Sequence, residues 1–324
     1  MGKAVFVYSA RSVYSGDRGF STRYSGFAIV SLSDQANQTS RLVIYARLMR
    51  LDKPIGILLL LWPMLWGLWF AAQGFPDSHI LVIFLMGTIL MRSAGCVIND
   101  FADRKIDPHV ERTKNRPMAA GQVSSREALL LAAGLSLVAF LLILPLNLLT
   151  ILLSVPALFL AASYPFTKRF FAMPQAYLGI AFSFGIPMAF AAQTDSLPSI
   201  VWILMLANLF WVIAYDTAYA IVDKPDDLKI GIKTSAITFG RFDVTGVMVC
   251  HVLFIAFMLY IGQLQAMGMV YYVGLIAAVG LMGYQYILIR NRDRTLCFKA
   301  FLHNNWVGLV VFAGIALDFL LQQN

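Results

Sequence analysis

Nine stretches of this chain are apolar for long enough to cross a bilayer, and nothing else in the sequence constrains the fold as strongly. They run Ile55 to Ala72, Ile80 to Ile98, Glu127 to Leu144, Leu146 to Ser163, Ala176 to Ala192, Ile200 to Val222, Gly246 to Gly262, Met269 to Ile289 and His303 to Leu321. Each is about the length a helix needs to cover a ~30 Å hydrocarbon layer. In lipid a single segment satisfies its backbone polar groups only as a helix. Hydrophobic residues make up 59% of the chain and charged residues 13%, which excludes a soluble globule. The expectation is therefore an all-α polytopic membrane protein. At Pro145 and Asn147 the pattern also allows spans three and four to be one long broken segment.

The basic residues settle the count. With nine spans, the connections after spans two, four, six and eight share a side with the amino terminus. They contain Arg104 to Arg126, Lys168 and Arg169, Lys224 to Arg241, and Arg290 to Lys299, whereas the opposite connections contain no Lys or Arg. Of the 25 basic residues only Arg92 lies inside a span, so the other 24 share one side. Adding or dropping a span would scatter them. The positive-inside rule makes that side the cytoplasm. The same confinement excludes nucleic-acid binding, which an excess of 25 Lys and Arg over 17 Asp and Glu would otherwise suggest. Cys96, Cys250 and Cys297 are far apart and form no CxxC, so neither disulfides nor a zinc site is expected.

Residues 1–40 differ in composition from the rest of the chain, being rich in Ser, Tyr and Gly with scattered Arg11, Arg18 and Arg23. They read as a disordered or targeting-like extension, a misassigned start or a lineage-specific tail. The transmembrane domain, residues 41–324, should open with a short amphipathic helix. Leu42, Tyr45, Leu48 and Met49 would share its apolar face, and Arg41, Arg47 and Arg50 would meet headgroups.

Two polar clusters interrupt the apolar pattern. If the second span continues to Pro108, then Asn99, Asp103 and Asp107 fall within about 80° of arc on one helical face. The second cluster, YDTAYAIVDKPDDLKIGIK, places Asp216, Asp223 and Asp227 at spacings of seven and four, but Pro225 should break the helix after span six. Both clusters follow even-numbered spans and so lie at the same membrane face. Each is followed by bases: Arg112, Lys114 and Arg116 after the first, Lys229 and Lys233 after the second. One such cluster could be a solvated helix end; two on one side suit Mg²⁺, which shares its shell with phosphate oxygens, and a cationic clamp for a diphosphate.

These residues resemble the UbiA-type family of intramembrane aromatic prenyltransferases. The resemblance covers RLMRLDKPIGILLLLWPMLWGLW at Arg47 to Trp69, AGCVINDFADRKID at Ala94 to Asp107, RTKNRP at Arg112 to Pro117, YPFTKR at Tyr164 to Arg169, IPMAFAA at Ile186 to Ala192, YDTAYAIVD and DDLKIGIK at Tyr215 to Lys233, and CFKAFLHNNWVG at Cys297 to Gly308. Departures are mild: Phe101 where Tyr is frequent, Pro108, Pro225, and Lys233-Thr234-Ser235 where Lys-Ser-Thr is commoner. The resemblance implies nine transmembrane helices around a central cavity that opens sideways to the lipid bilayer, under a polar cytoplasmic cap. It implies transfer of a long all-trans polyprenyl group from polyprenyl diphosphate to 4-hydroxybenzoate in ubiquinone biosynthesis, in a bacterial inner membrane or a mitochondrial inner membrane. Mg²⁺ would be held by Asn99, Asp103, Asp107, Asp223 and Asp227, with the four aspartates catalytic. Arg92, Arg104, Arg112, Arg116, Tyr164, Lys168, Arg169, Asp216 and Lys233 would contact the substrates.

Several of these have duller alternatives. Arg92 could hold a substrate anion, or pair with an Asp or snorkel. Lys168 could be an orientation residue. Trp62, Trp66 and Trp69 read as packing or interfacial residues, and Asn304 and Asn305 could cap span nine or face the cavity. Two rival functions are a related prenyltransferase with another aromatic acceptor and an anion transporter. A transporter would place its charged site near the bilayer midplane.

Overall fold

The computed structural model describes residues 40–323, so the reading of residues 1–40 lies outside the described residues apart from residue 40. A short helix α1 (Arg41–Leu48) precedes α2 (Ile55–Ala72), α3 (Ser78–Asp103), α4 (Ser125–Ile143), α5 (Leu148–Thr167), α6 (Pro174–Ser183), α7 (Gly185–Thr194), α8 (Ser199–Ile230), the single turn α9 (Ser235–Thr238), α10 (Asp243–Leu264), α11 (Met269–Ile289) and α12 (Arg294–Gln322). Among the described residues these give nine segments long and apolar enough to cross a membrane, α6 and α7 together forming the fifth. The protein is an integral membrane protein, all-helical among the described residues.

Spans three and four are separate helices. Asn147 caps α5 by accepting from the Thr150 amide at 2.9 Å, so the chain turns there instead of running on. Span five is divided at Phe184: Pro187 lacks an N–H for the Ser183 carbonyl four residues back. Ser183 Oγ instead donates to the Gly179 carbonyl at 2.7 Å and accepts from Asn208 Nδ2 at 2.9 Å, which ties the kink to α8.

The core surrounds α2, whose Trp62, Trp66 and Trp69 are all buried. Trp66 lies 5.2 Å from Trp211 and 5.8 Å from Phe254, ring centre to ring centre. Polar side chains lock this packing from α12: Trp211 Nε1 donates to Asn304 Oδ1 at 3.1 Å and Trp62 Nε1 to Asn305 Oδ1 at 2.9 Å. The helix begins at Arg294 with Asp293 as its cap, so Asn304, buried, and Asn305, half-buried, are mid-helix residues, not caps. Helices in lipid associate through close packing more than through hydrophobicity. The Gly274 and Gly314 crossing of α11 and α12 shows this, since a Cβ on Gly274 would stand 2.9 Å from the Val310 carbonyl and 3.0 Å from Gly314 Cα.

Helix α1 keeps most of the expected apolar face, with Leu48 buried and Tyr45 and Met49 packed beside it, but Ile44 takes the place expected of Leu42. Its buried residues are Ile44 and Leu48, packed with Val97, Met118, Val123 and Ala128, while Leu42 is 78% exposed. Arg41 turns to Glu127, donating at 2.5 Å, and Tyr45 donates to the same carboxylate. This helix is fastened to the start of α4, where Ser124 and Glu127 form a capping box.

Candidate functional site

Both acidic clusters lie at the helix ends facing the same side as α1, but each reaches that place differently from the sequence expectation. Helix α3 stops at Asp103 and does not continue to Pro108. The Ile106 amide donates back to the Asp103 carbonyl at 2.7 Å, and a 3-10 turn (Asp107–His109) succeeds it. Asp107 is therefore presented by a loop, which Thr113 secures by donating to the Asp107 carbonyl at 2.9 Å. The second cluster shows the reverse. Helix α8 runs unbroken through Pro225 to Ile230 and ends only at Gly231, in left-handed conformation with φ 73°. The proline removes one backbone donor, that for the Ile221 carbonyl, without ending the helix. Asp216, Asp223 and Asp227 thus share one helix.

Asp103, Asp107 and Asp223 each meet a cation. Lys168, just past α5, donates to Asp103. Arg116 donates to Asp107 Oδ2 at 3.0 Å and to Asp100 Oδ1 at 3.2 Å. Arg112 grips both oxygens of Asp223, with Nη2 to Oδ2 at 2.5 Å and Nε to Oδ1 at 3.1 Å, and lies 4.5 Å over the Tyr219 ring. Burial disfavours charge on Arg112, but Tyr219 and Asp223 outweigh it, so its pKa rises above the usual guanidinium value. Burial acts the same way on Arg116, and Asp100 and Asp107 again reverse the sign. Both arginines stay charged.

Two adjoining spaces result. A polar recess of about 130 Å³ is lined by Asn99, Asp103, Asp107, Arg112, Arg116, Tyr164, Lys168, Asp216, Tyr219, Asp223, Asp227 and Lys233. Beside it is a cavity of about 860 Å³ whose walls include Leu59, Met64, Phe84, Phe140, Leu158, Phe182 and Phe301. Asn99, Arg112, Arg116, Tyr164, Asp216 and Tyr219 border both.

Four of the expected substrate contacts donate to backbone carbonyls in this structure. Arg104 folds back, donating to the Phe101 carbonyl at 2.6 Å with its guanidinium 4.2 Å from the Phe101 ring, and borders neither space. Arg169 donates to the Ala102 carbonyl at 2.6 Å and so braces the end of α5 against the end of α3. Lys233 Nζ donates to the Phe170 carbonyl at 3.0 Å, and the Lys233 amide to the Lys168 carbonyl at 3.0 Å, which holds the two basic segments together at the recess. Arg92 borders the large cavity; its Nε donates to the Gly56 carbonyl at 3.0 Å and to no carboxylate. Trp62, Trp66 and Trp69 border neither space and belong to the core.

The sequence pattern does not mark Asp100, or Tyr219, which borders both spaces. Asp100 sits about 100° round the helix from Asn99, off the acidic face, yet it is fully buried. A carboxylate buried in a span must be paired, and that alone marks it.

Among the described residues no three His, Cys, Asp or Glu side chains stand close enough to chelate a metal ion. The donor chemistry nevertheless suits Mg²⁺, which uses one or two carboxylates together with water and phosphate oxygens, not an all-protein cage. Asp103 Oδ1, buried at the recess without a hydrogen-bond partner, is such a donor.

Residues 60–309 match the UbiA prenyltransferase family. The chain belongs to this family. Among UbiA relatives, the 4-hydroxybenzoate octaprenyltransferase of Nitrosomonas europaea is 72% identical over 282 residues, 87% of this chain and 97% of that protein. The enzyme of the same name from Nitrosomonas eutropha is 73% identical, over 87% of this chain and 99% of its own. The apo structure of a UbiA homolog from Aeropyrum pernix shares 25% identity and superposes with a TM-score of 0.72 over 81% of this chain and 97% of that one. A UbiA homolog from Archaeoglobus fulgidus, solved with GPP and Mg²⁺, shares the fold at 18% identity with a TM-score of 0.66, over 84% of this chain and 99% of its own.

Proposed function

We propose that this protein transfers an all-trans polyprenyl group, octaprenyl by its relatives' names, from polyprenyl diphosphate to the carbon ortho to the hydroxyl of 4-hydroxybenzoate. The observation that carries the reading is the contiguity of the two spaces: a recess of opposed carboxylates and cations shares a wall with an apolar cavity. A diphosphate joined to a hydrocarbon chain needs that pairing.

Asn99, Asp103, Asp107, Asp223 and Asp227 would hold Mg²⁺, which supplies charge neutralisation for the departing diphosphate. Arg112, Arg116, Lys168 and Lys233 bind the same anion as fixed cations at the recess. The allylic C–O bond breaks with its electron pair leaving on the diphosphate. The allylic cation then needs water excluded and π faces nearby, and Tyr164, Phe182, Tyr215, Tyr219 and Phe301 line the cavity there. Arg92, whose guanidinium forms no bond to a carboxylate, is positioned to take the carboxylate of the acceptor. The ring carbon forms the new C–C bond, and its proton passes to a carboxylate or diphosphate oxygen. Tyr164 and Asp216, at the shared wall, orient the reacting ends.

The basic side bears the site, which under the positive-inside rule supports a cytoplasmic face, and the bacterial relatives support an inner-membrane location. A transporter would carry its charges near the midplane, whereas Asp103, Asp107, Asp223 and Asp227 lie within the last turns of α3 and α8 or just beyond them. The test is turnover by detergent-solubilised protein given octaprenyl diphosphate, Mg²⁺ and 4-hydroxybenzoate. Diphosphate release that stops with chelator and returns with Mg²⁺ supports the reading. Release only with a different aromatic acceptor moves the assignment to another branch, and no release with any acceptor overturns it.

A further inference from the structure

Helix α1 ends in a hydrogen-bonded left-handed cap. The Arg50 amide donates to the Arg47 carbonyl at 3.1 Å and the Leu51 amide to the Ala46 carbonyl at 3.0 Å, with Arg50 at φ 59°. This is the position at which helices commonly place glycine, because a Cβ is disfavoured there. The side chain that occupies it instead reaches fifty residues along the sequence. Arg50 Nη2 donates to Asp100 Oδ1 at 2.7 Å and Oδ2 at 2.9 Å, while Nη1 closes on the Arg47 carbonyl at 2.9 Å. Asp100 is fully buried, and its Oδ1 also accepts from Arg116, which binds Asp107 with the same nitrogen. The chain of contacts runs Arg50, Asp100, Arg116, Asp107, from the rim of the large cavity to the carboxylates of the recess.

We infer that Arg50 and Asp100 are a positioning pair for the anion site, fixing Arg116 at the wall between recess and cavity. The inference rests on the diphosphate chemistry proposed above. Neither residue is needed as a metal donor or a substrate contact. A buried Asp100 with one cation would draw Arg116 wholly to itself; with Arg50 bonded to both of its oxygens, Arg116 remains shared with Asp107. An arginine is held in a backbone conformation that suits glycine, and the guanidinium placed on Asp100 is what that conformation gains.

Arg50→Gly separates the two roles, because glycine accepts the left-handed backbone while the guanidinium is lost. The expected result is a KM for octaprenyl diphosphate raised about tenfold, the low end of the loss seen when an outer-shell partner is removed at metal sites, with an unfolding midpoint that falls because Asp100 stays buried with one cation fewer, less than for Arg50→Ala because glycine relieves the backbone. Arg50→Lys should recover part of that loss. Asp100→Asn should weaken the same parameter, and the double variant should be no worse than Asp100→Asn alone, since residues of one network do not add. An unchanged KM in Arg50→Gly would make Arg50 a helix cap only, and full additivity would make the two residues independent; either result overturns the inference. Calorimetric binding of inorganic diphosphate to parent and Arg50→Gly proteins needs no turnover. It decides the pairing even if prenyl transfer itself fails: weaker binding by the variant supports the pair, and equal binding refutes it.

Discussion

Lys168 extends from the end of α5 to Asp103 at the end of α3, bonding one carboxylate oxygen and leaving Oδ1, the other, buried without a partner. The Asp103 side chain is 2% exposed and that of Lys168 22%, so the pair joins two spans at the edge of the apolar layer. Removing one member of a buried pair costs as much as ~3–5 kcal/mol, less here because the lysine touches water. Lys168→Ala should lower both the unfolding midpoint in detergent and the affinity for inorganic diphosphate, and Lys168→Arg should retain part of each. Thermal unfolding and calorimetry on the same preparations check this.

Asp103→Ala and Asp223→Ala should each reduce prenyl transfer by about 100-fold or more, the scale on which removing one electrostatic stabiliser acts. Both proteins should still insert and elute as folded species, since Asp103 ends α3, Asp223 lies in the last two turns of α8, and neither belongs to the tryptophan core. Full activity in either variant would refute the ligand assignment.

Gly274 has no room for a methyl group, because the atoms it would meet are backbone atoms of α12. Gly274→Ala should force α11 and α12 apart and destabilise the protein by about 1–3 kcal/mol. As the crossing is remote from the recess residues, turnover per folded molecule should be kept, which pairing thermal unfolding with the activity assay would show.

Pro225→Ala should restore a donor for the Ile221 carbonyl in a helix that is already continuous. Interior proline costs a helix up to ~3 kcal/mol, so the unfolding midpoint should rise with transfer activity retained. Lost activity would show that the missing bond shapes the Asp223 and Asp227 geometry.

The span pattern was legible to the residue in places. Ile55 to Ala72 and Met269 to Ile289 are helices α2 and α11 at both ends, because lipid length and composition set them. The two prolines were not. Pro108 and Pro225 present the same local restriction, yet one comes after a helix that had already stopped at Asp103 and the other sits inside a continuous helix. The difference lies in tertiary support: α8 is packed along most of its length, and the segment after Asp103 is held by Arg116 and Thr113. Side-chain destinations were legible only where charge required a partner across the mouth. Lys168 and Arg112 came to the acidic clusters, whereas Arg104 found its own preceding turn and an adjacent ring, which no spacing rule forecasts.

Tyr164, Asp216 and Tyr219 stand where water-facing polarity gives way to a hydrocarbon interior within a single wall. In the proposed reaction the two products have opposite solubilities, one a hydrophilic anion and the other an oil. A catalyst built across such a boundary needs no separate device to part them. Each product partitions into the phase its own side of the wall already faces, and re-encounter of the pair is suppressed by immiscibility.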